Sequence, residues 1–132
     1  MPRLPSIALA LAAALTLLLV GCAAPPPAPQ GLTDVAERPA EKALLAGMRA
    51  YDDAQYPMAE QQLGLALKTG LVSPRDRAAA HKYLAFIYCT SERTAECEAE
   101  FRTARAADPS FALSKSEAGH PQWGPVYQRL QR

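Results

Sequence analysis

Apolar residues along the chain fall into one long run near the start and then into segments where they recur at three- and four-residue steps. From Ile7 to Val20 only Thr16 interrupts Leu, Ala, Ile and Val. A run of about 14 residues is short of the roughly 20 that a helix needs to cross the hydrocarbon layer. Behind the positive Arg3 it predicts the core of a cleavable secretory signal rather than a spanning anchor. The stretch Ala23-Ala24-Pro25-Pro26-Pro27-Ala28-Pro29-Gln30-Gly31 follows. It has nothing to bury and favours extended polyproline geometry, as a tether does.

Helical spacing begins at Glu41, where Ala43, Leu44, Ala46, Gly47, Met48, Ala50 and Tyr51 recur with Lys42, Arg49 and Asp52 between them. Gln55-Tyr56-Pro57 interrupts the pattern, and Ala59, Leu63, Ala66 and Leu67 predict a second helix from about Pro57 to Lys68, stopped by Gly70. Ser73-Pro74-Arg75-Asp76 is a strong start signal, with Ser73 as N-cap and Pro74 at the first helical position. The helix it opens runs through Ala78 to Cys89 and carries Leu84, Ala85, Phe86, Ile87 and Tyr88, so it is expected to be the most buried. A fourth is predicted from about Thr94 to Ala107, with Cys97, Phe101 and Ala104 inward and Asp108-Pro109 at its end. Trp123, Val126, Tyr127 and Leu130 predict a terminal helix between about Gln122 and Gln131, with Pro121 near its first turn.

The two predicted hairpins repeat one another. Ala43, Ala46, Gly47, Ala50, Tyr56, Ala59, Leu63 and Ala66 fit the pattern of the 34-residue tetratricopeptide repeat, the first copy being degenerate. In the second copy Leu84, Ala85, Tyr88, Cys97, Phe101, Ala104 and Pro109 take the leucine, small, tyrosine, small, phenylalanine, alanine and proline positions. Ala59 and Cys97 lie 38 residues apart, which places four extra residues in the loop around Leu71 to Asp76. Helices approach closely only where one side offers Gly or Ala, while larger side chains fill the wider gaps. Two units bury too little on their own, so the terminal helix is expected to cap the open face. The expected fold class is all-α, with antiparallel tetratricopeptide-repeat-like hairpins and a C-terminal capping helix.

The apolar run ends in Leu19-Val20-Gly21-Cys22, an aliphatic residue, two residues suited to a peptidase cleft and a cysteine in the order of a lipobox. Cys22 is therefore expected to carry a diacylglyceryl thioether after cleavage. Residues 1–21 are then the signal peptide, 22–39 the tether and 40–132 the helical domain. Several acyl chains, at roughly 0.8 kcal/mol per buried methylene, would hold the protein almost permanently on a membrane. Ala23 is not aspartate, which by similarity to Gram-negative lipoproteins points to the periplasmic face of the outer membrane rather than the inner membrane. Cleavage removes Arg3 alone of the 14 Lys and Arg, so 13 basic side chains would face 13 acidic ones. That balance gives no electrostatic basis for binding nucleic acid.

With Cys22 lipidated, Cys89 and Cys97 remain as an even pair in an oxidising compartment. They fall at the end of one helix and the start of its partner, where a disulfide forms if the α-carbons lie within about 7 Å. His81 is a lone histidine, read as a surface or packing residue. His120, in the turn Glu117-Ala118-Gly119-His120-Pro121, is read as capping the terminal helix, since one Glu and one His do not make a metal site. No glycine-rich phosphate loop, nucleophile elbow or paired carboxylates occur. No catalytic role, cofactor, metal or small-molecule substrate is expected. Tyr51, Tyr56, Tyr83, Trp123 and Tyr127 are the candidate partner surface, with membership of the core as the other reading of the aromatic residues.

One further pattern is specific. The run His81-Lys82-Tyr83-Leu84-Ala85-Phe86-Ile87-Tyr88-Cys89 is followed by Cys97, Phe101, Asp108-Pro109-Ser110-Phe111 and Glu117-Ala118-Gly119-His120-Pro121-Gln122-Trp123-Gly124-Pro125-Val126. It resembles the TssQ family of type VI secretion-associated lipoproteins. The resemblance covers about residues 40–130 and is most distinctive over 81–126. It implies an accessory, non-catalytic periplasmic lipoprotein that helps assemble, place or stabilise a contractile secretion machine, with envelope or secretion-machine proteins as partners. The repeat pattern alone implies an adaptor in another envelope process, such as outer-membrane protein insertion or cell-wall synthesis. A thiol or metal enzyme would require Cys89 and Cys97 to be redox-active.

Overall fold

The structure, a computed structural model, describes residues 31, 32, 34 and 37–132. The expected signal segment, Cys22 and most of the tether lie outside the described residues. From Pro39 on, the described residues form α1 Pro39–Asp52, α2 Tyr56–Thr69, α3 Pro74–Thr90, α4 Thr94–Ala107, α5 Lys115–Ala118 and α6 Gly124–Arg129. Among the described residues no strand occurs. The helices α1 and α2 form one hairpin and α3 and α4 a second, which stacks through α3 on α2 and, to a smaller extent, on α1. The fold is all-α and tetratricopeptide-repeat-like.

Local chemistry sets the boundaries. The first helix starts two residues before the expected Glu41, because Pro39 presets the helical φ of its first turn and Arg38, in extended conformation, accepts the first intrahelical bond from the Lys42 amide. Proline also begins rather than interrupts α2, where Pro57 stands in the first turn. Gly70, at φ 102°, ends α2 in a left-handed conformation that only glycine adopts without strain. At the start of α3 the Ser73 hydroxyl accepts from the Asp76 amide at 3.3 Å. The longer loop between the hairpins is held by Arg77, whose guanidinium donates to the carbonyls of Leu71 and Val72 at 3.0 and 2.9 Å. Leu71 thereby stays buried where the second copy has Pro109.

Within the first hairpin the closest approach is at Gly47. A Cβ on this residue would stand 2.7 Å from Leu63 Cγ and 3.1 Å from its backbone nitrogen. The second hairpin repeats the arrangement 38 residues on, with Ala85 and Phe101 in the corresponding positions and both buried. The helix α3 serves two cores. Its Ala80, Leu84 and Ile87 join Ala43, Leu44, Ala59, Leu63 and Ala66 of the first hairpin. Its Ala85 and Phe86 join Cys97, Phe101, Leu113, Trp123, Val126 and Tyr127. A helix buried on two sides carries apolar residues around much of its circumference, as the sequence of α3 does.

The terminal helix expected over about Gln122 to Gln131 is present over the shorter span of α6, and α5 precedes it as a turn that the spacing did not predict. Ser114 and Glu117 form a capping box that starts α5, and the helix ends after one turn at Gly119. The chain then bends so tightly that a Cβ on Gly124 would lie 2.5 Å from the Ala118 carbonyl oxygen. Pro125, not Pro121, occupies the first turn of the last helix.

The hairpin geometry gives a paired test. Gly47→Ala forces a methyl group into Leu63 and is expected to cost about 1–3 kcal/mol by overpacking. Gly64→Ala, in α2 with nothing within 4 Å of its Cβ position, should gain up to about 1 kcal/mol from helix propensity. Urea titration followed by circular dichroism measures both.

Candidate functional site

Cys89 and Cys97 are joined by a disulfide, with their α-carbons 5.2 Å apart. Cys97, in the first turn of α4, is fully buried. The bond closes the tip of the α3/α4 hairpin, where Thr90 donates its hydroxyl back to Phe86 and Ile87 and Glu92 adopts φ 61°. Closing so short a loop restricts the unfolded chain by about 2–3 kcal/mol in the chain-entropy account. Beside it Arg93 joins three helices. Its guanidinium donates to both Glu60 oxygens on α2 at 3.1 and 3.3 Å and to Glu96 on α4 at 3.1 Å, and lies 4.0 Å above the Tyr88 ring centre on α3. Burial, with the Glu60 carboxylate adding to it, pushes the Tyr88 phenol up to about 12.

Of the five residues expected to offer a partner surface, the structure separates two from the rest. Trp123 and Tyr127 are only 7% and 8% exposed and belong to the core. The Trp123 ring lies between Phe86, 4.1 Å away and nearly parallel, and His120, 3.3 Å away and parallel to within 3°. Its indole nitrogen donates to the Glu117 carbonyl at 2.8 Å. Tyr127 packs against Phe101 and Phe111, and its hydroxyl accepts from the Leu113 amide at 3.2 Å. The cause is the apolar face of Ala85, Phe86 and Phe101, which no further hairpin covers among the described residues and these rings fill. Helical spacing alone does not distinguish such a plug from a solvent-facing aromatic stripe.

Tyr51, Tyr56 and Tyr83 stay together on one side of the stack. The Tyr51 ring centre is 5.6 Å from that of Tyr56 and 5.0 Å from that of Tyr83. Tyr56 is 39% exposed, and the other two are partly buried. Burial first, then the neighbouring Tyr56 and Tyr83 phenols, pushes Tyr51 up to about 12. Lys82 borders the cluster, its ammonium 5.0 Å from the Tyr83 ring centre and 2.6 Å from the Glu117 carboxylate. Burial alone would raise the Glu117 carboxyl. The bonds from Lys82 and from the Ser114 amide and hydroxyl outweigh it and hold the group below the usual range.

The histidines are used within the fold. His81 Nδ1 meets Glu100 Oε2 at 2.5 Å, linking α3 to α4. His120 stacks on Trp123 and takes the Gln122 amide on its Nδ1 at 3.3 Å, so it supports the indole rather than capping α6 by its side chain. Among the described residues no three His, Cys, Asp or Glu converge as metal ligands. Sequence reasoning passed over the outward side of α1, where Lys42, Leu45, Ala46, Arg49 and the preceding Glu37 line a groove of about 330 Å³. The signal was present in the 38-residue register, because Lys42, Ala46 and Arg49 correspond to the buried Ala80, Leu84 and Ile87 of α3 and Leu45 to the partly buried Tyr83.

Trp123→Ala is expected to lower stability by about 3–5 kcal/mol, since it opens a cavity between Phe86 and His120. Thermal melts read the loss. The two phenols predict alkaline behaviour: with ionisation near 10.0 unfolded and about 12 folded, the folded state favours the neutral form. Their contribution is complete below pH 10 and is lost as pH rises through about 12. Tyr51→Phe and Tyr88→Phe should each flatten the fall in melting temperature across that window. Comparison with protein-family models, with curated proteins and with solved structures gives no match for this chain.

Proposed function

We propose that the protein is a lipid-anchored, non-catalytic scaffold at the periplasmic face of the outer membrane. In this reading it is an accessory of a type VI secretion machine and acts by protein–protein interaction. The observation that carries the reading is the order Leu19-Val20-Gly21-Cys22 directly after an apolar run and directly before a proline-rich stretch. Lipid on Cys22 fixes the chain to a bilayer, the tether lifts the domain away, and a stack of helical hairpins supplies surfaces for other helices. The likeness of residues 81–126 to the TssQ lipoproteins directs the scaffold to the contractile secretion apparatus. Repeat architecture by itself favours a broader second reading, an adaptor for outer-membrane protein insertion or cell-wall assembly.

The disulfide fits export, because such bonds persist in oxidising compartments. As a lock across a hairpin tip it gives the two thiols a structural task. Among the described residues no helix is long and apolar enough to cross a membrane.

Cys22→Ser tests the proposal. The wild-type protein should fractionate with membranes and give an N-terminal peptide beginning at an acylated Cys22 by mass spectrometry. The variant should be soluble or unprocessed, melt as the wild type does, and fail to support secretion. Membrane attachment retained by the variant would overturn the anchor. Neighbouring genes for sheath, tube and membrane-complex proteins would favour the secretion role over the broader one.

A further inference from the structure

The second hairpin buries a specific face of α3 against the first. Ala80, Leu84 and Ile87 are buried there, with Tyr83 packed alongside. Moving back 38 residues, these positions become Lys42, Ala46, Arg49 and Leu45 on α1. All four are exposed, Leu45 to 41%, and they line the groove beside Glu37. The first hairpin therefore turns outward the very side that its successor uses to receive a neighbouring helix. Lys42 and Arg49 flank the apolar pair one turn or less to either side, and among the described residues neither takes part in an ion pair.

We propose that this face of α1 is a docking site for an amphipathic helix of another protein, whose apolar stripe is bordered by acidic side chains. It deepens the scaffold reading given above, on which it rests. An apolar strip between two cations receives such a helix, with carboxylates meeting Lys42 and Arg49 at the rim. A second copy fits poorly. Face to face, Lys42 and Arg49 would oppose their own counterparts. Of the described residues ahead of α1, Glu37 lines the groove and Leu32 is 91% exposed. The outer face of a terminal repeat is generally polar, whereas Leu45 and Ala46 here are apolar and exposed.

The test places a photo-crosslinking amino acid at Leu45 of the full-length lipoprotein in the cells that make it, with Thr103, exposed on α4, as control position. Adducts at 45 should exceed those at 103 by about tenfold and map by mass spectrometry to one acidic-flanked helix of a different protein. The double change Lys42→Glu, Arg49→Glu should reduce them by about tenfold while leaving the circular dichroism and melting curve unaltered. Adducts on residues 31–37, on a second copy or on lipid, yields equal to the control, or yields indifferent to the charge reversal would each overturn the proposal. If Cys22→Ser shows no anchor yet the adducts persist, the surface stands and the anchored reading falls. If the helix belongs to a protein outside the secretion apparatus, the surface stands and the secretion assignment falls.

Discussion

The distance between two packed helices is set by the smallest side chain at their crossing, and in this protein that side chain is the hydrogen of Gly47. Because Leu63 can lie directly against the α1 backbone, α1 and α2 close into a hairpin narrow enough for α3 to contact both. Ala85 and Phe101 stand in the corresponding positions of the second hairpin, both buried. Everything beyond these crossings follows from the stacking of two similar units. One face of α3 is consumed by the first hairpin and the opposite face is left apolar at the other end. The rings of Trp123 and Tyr127 are needed there because a stack of hairpins always exposes its last one.

Polar contacts determine how firmly the units are held together. Arg93 reaches Glu60 across the hairpin boundary, and Lys82 reaches Glu117 across the boundary between repeat and plug. Each is a charged hydrogen bond between elements distant in sequence, with side chains partly shielded from water. Such pairs contribute modestly to stability, but they fix which surfaces meet. The Arg93 pair stands beside the disulfide, so the tip of α3/α4 is held both covalently and through α2. The backbone carbonyl of the same Glu117 accepts from the indole that closes the second core.

Much of the architecture was legible because the sequence spells it locally. Ser73-Pro74 begins a helix, Gly70 ends one, and Asp108-Pro109 stops another, each by a chemistry confined to a few neighbouring residues. Ala59, Leu63 and Ala66, and again Cys97, Phe101 and Ala104, announced their inward faces by spacing alone. The fate of Trp123 and Tyr127 was not written locally. Whether an aromatic stripe meets solvent or an apolar neighbour depends on the end of α3/α4, more than a dozen residues away along the chain. Nor did spacing reveal the helical turn of α5 ahead of the last helix, or the bend after it, which depends on Gly124 approaching the Ala118 carbonyl. The outward face of α1 could have been read from the repeat register, by asking which partners of buried α3 residues had no helix before them.

The plug of α5 and α6 gives the molecule a polarity. One end of the stack is sealed by its own aromatic rings, and the opposite end is not covered by any described residue. Head-to-tail association, in which the end of one copy receives the start of the next, would need both ends to accept a helix, and open contacts of that kind are what generate filaments. Sealing one of them makes the two ends unlike: a neighbouring helix would meet α1 at one and the aromatic plug at the other.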